Sequence, residues 1–194
     1  MDTKQQIIEA AFELFCEKGY HLSMAELAKR VGIKTPSLYS HFSGKDQILE
    51  LMIQNEIIRY FDCLDAKLLC AESMCCRDAM KSLFLFALEY FNDMSRLRFW
   101  RTIPLISNEQ MRLKCSRLIA EKDRSSNERM RQCFLKGIKN GELRPGISES
   151  ALHLYLVMIQ GVLDGMLLYP KSGNENTFAA NIFDAYWGGV RAGS

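Results

Sequence analysis

Proline and glycine are scarce in this 194-residue sequence, with 4 and 12 residues respectively. Because a proline inside a helix breaks it, this scarcity favours long uninterrupted helices. Hydrophobic residues make up 48% of the chain and charged residues 25%, which excludes collagen-like and disordered classes of protein. The length predicts one or two small domains that can bury a hydrophobic core.

Paired metal-ligand and catalytic motifs are also missing. The chain has seven cysteines and three histidines, but no C-x-x-C pair and no zinc-like spacing. It has no G-x-S-x-G, phosphate-binding loop or dinucleotide-binding motif. We therefore predict neither an enzyme nor a metal or cofactor site. Cysteines scattered among apolar residues are typical of reduced, buried thiols in the cytoplasm.

No long run is wholly apolar. Residues 151–169 are the most apolar stretch, and His153, Gln160 and Asp164 interrupt it. A membrane span is therefore not expected there. Asp2 and an early amphipathic pattern are unlike a signal peptide, so we expect a cytoplasmic protein without membrane contact.

Hydrophobic residues recur at helical spacing along the chain, and no window alternates as a strand would. The sequence thus predicts an all-α fold. In the long fourth helix we expect an inward face made of Ile48, Met52, Ile53, Ile58, Phe61, Leu64 and Leu68. The predicted helices span 3–18, 24–31, 35–42, 44–69, 77–94, 96–104, 109–140, 148–169 and 175–191.

Local signals mark the ends of the short N-terminal helices. Ser23 and Glu26 have the spacing of a capping box, and Gly32 suits a tight turn between two helices. Thr35 followed by Pro36 predicts an N-cap at Thr35 and a helix that begins at Pro36. Three short helices with a glycine turn between the second and third indicate a helix-turn-helix, whose third helix enters the major groove of DNA.

Charge is concentrated in the same region. The whole chain carries a formal net charge of +2, but segment 18–45 has Glu26 as its single acidic residue against five bases. A local excess of positive charge is the electrostatic signature of a DNA-contacting surface. The five bases are Lys18, Lys29, Arg30, Lys34 and Lys45.

Residues 3–50 resemble the N-terminal signature of the TetR (tetracycline repressor) family. The resemblance rests on the run from Gly32 to Leu49 and on the Tyr-x-His-Phe-x-x-Lys spacing from Tyr39 to Lys45. It implies a helix-turn-helix DNA-binding domain over 1–47 and a helical effector-binding and dimerisation domain over 48–194. The family further implies a homodimer that binds a palindromic operator in double-stranded DNA and releases it when a small-molecule effector binds.

The resemblance also implies which side chains meet DNA. Tyr39 and His41 match positions that touch the DNA backbone, and Lys45 matches a phosphate-contacting lysine. Taken singly, each of these residues could instead be part of a solvated surface, and Tyr39 could simply pack. The remaining candidates, for base readout and nearby phosphate contacts, are Lys34, Thr35, Pro36, Ser37 and Ser40.

Residues 84–100 are rich in aromatic side chains, and two interpretations remain open. They could be ordinary core, which we favour for most of them, or they could line an apolar ligand pocket. Tyr90 and Trp100 are the better pocket candidates because each has a polar group on an apolar ring, and Met94 lies between them.

Segment 152–166 is apolar almost all round, which predicts a helix buried on several sides. In a TetR-like dimer this helix and 175–191 would form a four-helix interface. Gly161 and Gly165, four residues apart, would permit close helix approach. Gln160 and Asp164 are polar intrusions in this helix, and Asp164 could face a ligand or serve a structural hydrogen bond near the interface.

One alternative function stays open within the same fold. The seven cysteines could make the protein a thiol-based redox sensor, which requires an exposed thiol of low pKa beside a base. Cys75 and Cys76, next to Arg77, form the only such place in the sequence.

Overall fold

The computed structural model describes residues 2–169 and 175–193, without the side chains of 175–177. Over these residues the chain is all-α, as predicted, and its only β-type pairing is an isolated bridge between Leu143 and Arg191. Short 3-10 turns follow the first and sixth helices. The helices are α1 Thr3–Lys18, α2 Met24–Val31, α3 Thr35–Tyr39, α4 Lys45–Ala71, α5 Cys76–Tyr90, α6 Met94–Thr102, α7 Glu109–Lys139, α8 Ser148–Leu168 and α9 Glu175–Val190.

The first two helices begin and end where local capping signals place them. Asp2 caps α1, and Gly19 ends it with a φ of 61°. The capping box of α2 is complete: Glu26 N–H donates to Ser23 Oγ, and the Glu26 carboxylate accepts from Ser23 N–H. Gly32 ends α2 in the left-handed conformation, with a φ of 78°, as a tight helix-helix turn requires.

The start of α3 differs from the prediction. Lys34 is its N-cap residue, Thr35 is already helical, and the predicted Thr35 cap is wrong. Pro36 is compatible with a helix that begins at Thr35, because proline is accepted in the first turn, where its missing N–H has no helical partner. The helix ends at Tyr39, earlier than predicted, although Phe42 N–H still donates to the Leu38 carbonyl at 3.0 Å.

The inward face of α4 agrees with the prediction except at Ile58, whose neighbour Ile57 faces the core instead. Ile58 is 41% exposed, whereas its neighbour Ile57 is fully buried. Spacings of four residues link Ile53, Ile57 and Phe61 along one face of the helix, and these side chains share the core. Ile57 and Ile58 are identical neighbours in the sequence, and only the four-residue spacing shows which of them faces the core.

Contacts divide the chain into two compact units. The first unit comprises residues up to Phe61 together with Ser95–Glu121, and the second comprises Asp62–Met94 with the residues from Lys122 onward. In the first unit the ring of Phe99 packs on Phe12 and Phe15, with centroid distances of 5.4 and 5.5 Å. The division at residues 47 and 48 stays a proposal, and it falls within α4.

Buried hydrogen bonds and a close helix approach organise the second unit. Tyr155 donates to the Met80 carbonyl at 2.8 Å, and Tyr186 donates to the Ala151 carbonyl at 2.9 Å. A Cβ at Gly137 would lie 2.7 Å from the Cβ of Cys76, so only glycine allows α5 and α7 to approach this closely.

Within this single chain, helix α8 is buried along one side, so burial on several sides, as expected in a dimer, stays a prediction. Leu154, Val157 and Leu168 are 52, 67 and 71% exposed and, with Gly161, mark one stripe of the helix. By length and composition the helix is apolar enough to cross a membrane. Within the chain, 22% of its most apolar window is buried. An exposed apolar stripe of this kind marks an interaction surface.

Candidate nucleic-acid interface

The turn between α2 and α3 sets the geometry of the candidate DNA-binding surface. Gly32 N–H donates to the Lys29 carbonyl, and Ile33 N–H donates to the Ala28 carbonyl at 3.0 Å. These bonds close the end of α2 and redirect the chain into α3. Leu38 is fully buried, whereas its neighbour Tyr39 is 55% exposed. The short helix therefore has one face anchored in the core and one face turned to solvent.

The eight predicted DNA-contacting residues lie on this solvent-facing side or at its edges. Lys34, Pro36, Ser37, Tyr39 and Ser40 are exposed. One hydroxyl has a local role, since Ser40 Oγ donates to the Ser37 carbonyl at 2.7 Å. The half-buried members are Thr35, His41 and Lys45. The structure thus brings all eight into one continuous stretch of helix and turn, and their contact with DNA stays a prediction.

The local excess of positive charge is smaller in the structure than in the sequence. Lys18 pairs with Glu26, and this hydrogen bond, together with those from Ser23, lowers the pKa of Glu26 to about 2. Arg30 makes ion pairs with Glu13 and Glu17 at 3.1 and 3.0 Å. Two of the five bases are therefore paired with carboxylates of α1 and α2.

Lysine residues around α3 carry the remaining positive charge. Lys29 and Lys34 are exposed, and neither has an ion-pair partner among the described residues. Lys45 begins α4, where its Nζ donates to the Tyr20 carbonyl at 3.0 Å and lies 4.1 Å from the centre of the Tyr20 ring. An ammonium group has three N–H donors, so this contact is compatible with binding a phosphate oxygen. The sequence analysis missed Tyr20 in this role.

The five residues predicted to bind a ligand fall into different surroundings. Tyr90 is buried against Phe86 and Phe91, with centroid distances of 5.9 and 5.2 Å. Trp100 packs against Tyr60 at 5.0 Å in the first unit. The other three lie in the second unit: Met94 is half-buried at the start of α6, and Gln160 and Asp164 are exposed on α8. A shared ligand site for these residues stays a prediction.

A cavity of about 330 Å³ lies elsewhere in the second unit, and none of these five residues lines it. Its wall comes from the end of α4 and the turn after it, the first half of α5 and the last third of α7. The apolar lining consists of Leu68, Ala71, Met74, Ala79 and Leu83, and the polar lining of Glu72, Arg129, Gln132, Cys133 and Lys136. Its volume is at the lower end of the range of about 300–1,000 Å³ for small-molecule sites.

The basic side chains of the cavity wall are partly compensated. Arg129 donates to Glu72 Oε1 at 2.9 Å and to Asp65 Oδ1 at 3.4 Å. Lys136 donates to the main-chain carbonyl of Glu72 at 3.1 Å. This hydrogen bond brings no opposite charge to Lys136, because a main-chain carbonyl is a neutral acceptor. An apolar floor with cationic groups at its side suits an apolar ligand that has an anionic end.

The environment of Cys75 and Cys76 does not support the thiol-sensor alternative. A hydrogen bond from the Asp78 N–H lowers the pKa of Cys75, but burial and the charges of Asp78 and Glu142 outweigh it and raise that pKa. Hydrogen bonding to Cys133 and burial raise the pKa of Cys76. Arg77, the expected activating base, pairs instead with Asp184 at 2.9 Å. Neither Cys75 nor Cys76 therefore has the low-pKa thiol that sensing requires, whereas the hydrogen bond with Cys76 lowers the pKa of Cys133.

Comparison with known proteins gives the same picture of the N-terminal region. Residues 7–52 match the family model described as bacterial regulatory proteins, tetR family. The chain is 37% identical over 57 residues to the HTH-type transcriptional activator FasR of Mycolicibacterium smegmatis. That match covers 29% of this chain and 26% of FasR, so it spans about a quarter of the length of this relative.

Two further comparisons extend over most of the chain. The chain is 23% identical over 160 residues to the fatty acid metabolism regulator protein of Bacillus subtilis, covering 82% of this chain and 78% of that protein. The crystal structure of the transcriptional regulator FadR from Bacillus subtilis in complex with stearoyl-CoA superposes with a TM-score of 0.72. It covers 96% of this chain and 98% of FadR at 17% identity, which establishes a common fold.

Residues 7–52 of this chain therefore carry the TetR-family signature. The family resemblance that the sequence predicted is thus confirmed, as is the order of an N-terminal helix-turn-helix and a C-terminal helical region. The relatives are named as transcriptional regulators, one of them an activator. The N-terminal match is thus to the tetR family of bacterial regulatory proteins, and the fold is shared over nearly the whole chain.

Proposed function

We propose that this protein is a cytoplasmic homodimer that binds a palindromic DNA operator and represses transcription until a small-molecule effector releases it. One observation carries the DNA-binding part of the proposal. The short helix α3 is anchored by the fully buried Leu38, while Ser37, Tyr39 and Ser40 face solvent between Lys34 and Lys45. A polar helix face between two lysines suits the major groove, because phosphates attract the cations and base edges accept hydrogen bonds.

Selection of binding sites tests this proposal. The full-length chain would be offered a duplex library with a random core of about 20 base pairs, enough for two half-sites one helical turn apart. We expect enrichment of a palindromic sequence. A library that stays random after repeated selection would contradict sequence-specific binding. Enrichment of a single, non-palindromic site would contradict binding as a symmetric dimer.

The homodimer is proposed from the exposed apolar stripe of α8. Leu154, Val157 and Leu168 face solvent in the single chain, and Gly161 and Gly165 leave open space beside them. A second copy would bury this stripe and place glycines where two helices can approach closely. Light scattering after gel filtration should therefore give about twice the mass of the 22.3 kDa chain.

The cavity of the second unit is the place we propose for the effector. Its five apolar lining residues would bury an apolar body, and Lys136 and Arg129 would meet an anionic end. FadR was solved with stearoyl-CoA, a ligand that combines an acyl chain with phosphates. An acyl thioester or fatty acid is therefore the first effector class to examine for this chain.

Two leucines of α5 offer a matched test of the effector site. Leu83 is buried in the cavity wall, whereas Leu85 on the same helix is exposed. Leu83→Phe should reduce binding of the apolar anionic dye anilinonaphthalene sulfonate and of stearoyl-CoA, and Leu85→Phe should leave both unchanged. Equal binding by the parent and by Leu83→Phe would place the effector elsewhere. Tyr90→Ala and Asp164→Ala would then test the alternative location.

The sign of regulation needs its own measurement, since FasR is named an activator. A reporter gene behind the selected operator should be silenced by the parent chain and expressed by the Tyr39→Ala variant. Reporter expression that rises with the parent chain would make the protein an activator.

A further inference from the structure

A polar cluster in the first unit adjoins the Tyr20–Lys45 contact. Tyr20 Oη donates to Asp46 Oδ1 at 2.6 Å, and this hydrogen bond raises the pKa of the Tyr20 hydroxyl, which therefore remains a donor. Asn108 Nδ2 donates to Tyr20 Oη and to Asp46 Oδ2, both at 3.2 Å. The three side chains thus form a closed triangle of hydrogen bonds that joins Tyr20 to the first turn of α4.

Asn108 has a second role at the start of α7. Its Oδ1 accepts from Met111 N–H at 3.1 Å, and its carbonyl accepts from Arg112 N–H at 2.9 Å. These contacts make it the N-cap of α7 and define the orientation of its amide, because the oxygen must face the Met111 N–H. The amide nitrogen then faces the Tyr20 hydroxyl and the Asp46 carboxylate, which both accept.

Tyr20 connects this triangle to the candidate phosphate contact. The Lys45 ammonium touches Tyr20 twice, at the main-chain carbonyl and over the ring. A free lysine side chain samples many rotamers and loses that freedom when it binds a phosphate. Holding Tyr20 in place therefore lowers the entropic cost of the Lys45 contact with DNA, since the ammonium is already located.

We propose that Asn108 is a positioning residue for DNA binding, which through Tyr20 and Asp46 holds the Lys45 ammonium where it meets a backbone phosphate. This inference rests on the DNA-binding function proposed above. It adds a residue from the start of α7 to a surface that otherwise consists of residues 34–45. Asn108 itself does not touch DNA.

Substitution by aspartate separates the two roles of Asn108. Asn108→Asp keeps an oxygen that accepts from Met111 N–H, so the cap of α7 remains. It removes the amide donor and places a second carboxylate beside Asp46, which should open the triangle. We expect Asn108→Asp to weaken binding of the selected operator duplex by about threefold to tenfold, the order expected when one hydrogen bond of this kind is lost.

A double-mutant cycle with Lys45→Ala identifies the route of this effect. Lys45→Ala alone should weaken binding and reduce the salt slope by about one unit, because one phosphate contact is lost. If Asn108 acts through Lys45, Asn108→Asp should cost nothing further in the Lys45→Ala background. Tyr20→Phe keeps the ring and the carbonyl that touch Lys45 and removes only the hydroxyl. It should reproduce the loss seen with Asn108→Asp.

Each outcome separates this inference from the function on which it rests. Asn55→Asp, an exposed asparagine of α4, is the matched control for added negative charge. A loss with Asn108→Asp that persists at full size without Lys45, or that Asn55→Asp reproduces, would overturn the positioning role and leave the proposed function intact. If Asn108→Asp and Tyr20→Phe both bind the operator duplex as tightly as the parent chain, the positioning role is also overturned and the proposed function stays intact. If the parent chain enriches no duplex, both proposals fail together.

Discussion

Two surfaces of this chain are exposed for different reasons, and their chemistry is opposite. The outer face of α3 carries Ser37, Tyr39 and Ser40, with Lys34 beside it. The outer stripe of α8 is mainly apolar, with Leu154, Val157 and Leu168, and Asp164 is the charged residue exposed among them. Polar groups near cations suit a polyanion, whereas an apolar stripe gains free energy when another protein covers it. Exposure alone therefore does not indicate the partner, but the composition of each surface does.

Breaking the apolar surface should have the largest effect. Val157→Asp places a charge in the stripe, and we expect it to give a monomer in light scattering. Operator affinity should fall by about a hundredfold or more, because a monomer loses the gain from binding two half-sites together. Leu135→Asp, at an exposed leucine of α7, is the control and should remain a dimer. A dimeric Val157→Asp variant would show that this stripe is not the interface.

Two exposed tyrosines sharpen the comparison between the surfaces. Tyr39→Ala should weaken operator binding by about tenfold and leave the dimer intact, with an unchanged salt slope because tyrosine is neutral. Tyr169, directly after α8, is also exposed. Tyr169→Ala should leave the affinity of the assembled dimer for operator unchanged. Fluorescence anisotropy with the selected duplex measures both, and equal affinities of Tyr39→Ala and the parent would remove Tyr39 from the DNA interface.

The turn that presents α3 can be tested through stability. Gly32→Ala meets no neighbour within 4 Å but must adopt a φ of 78°, which should cost about 1 kcal/mol. We expect a melting temperature lower by about 2–4 °C in calorimetry. Gly188→Ala, inside α9 and also in open space, should instead raise the melting temperature, since alanine favours helices. A fall of equal size in both variants would show that the left-handed turn is not the cause.

The smallest expected effect concerns the capping box of α2. The folded-state pKa of Glu26 lies at about 2, below the usual 4.5, because its hydrogen bonds favour the charged form. Its contribution to stability is thus present above pH 4.5 and is lost as the pH falls toward 2. The difference in urea midpoint between the parent and Glu26→Gln should shrink over that interval. The same comparison with Glu121→Gln, at an exposed residue of α7 that belongs to no capping box, is the control.

Much of the fold was predictable because its signals are local. Ser23 and Glu26 make their capping box within one turn of helix. Gly32 adopts the left-handed conformation that ends α2. The start of α3 was missed by one residue because Thr35 and Lys34 are both acceptable before Pro36. The extended backbone of Lys34, with a ψ of 145°, makes it the cap.

Long-range features were less accessible to sequence analysis. Asn108 precedes α7 by one residue, so its capping role has a recognisable local signal. Its contact with Tyr20, 88 positions away, leaves no such signal. The cavity is similar, since its lining comes from three helices and none of the five predicted ligand residues belongs to it.

By itself, the sequence determined the helices, the turn at Gly32 and the family resemblance of the N-terminal region, because capping, periodicity and the Tyr39–Lys45 spacing act over a few residues. Tertiary structure alone decided which charges are neutralised, where the cavity lies and whether the apolar α8 is covered. Arg30 is a free cation in the sequence and a partner of Glu13 and Glu17 in the fold. These properties depend on distances between residues far apart in the chain, and packing sets those distances.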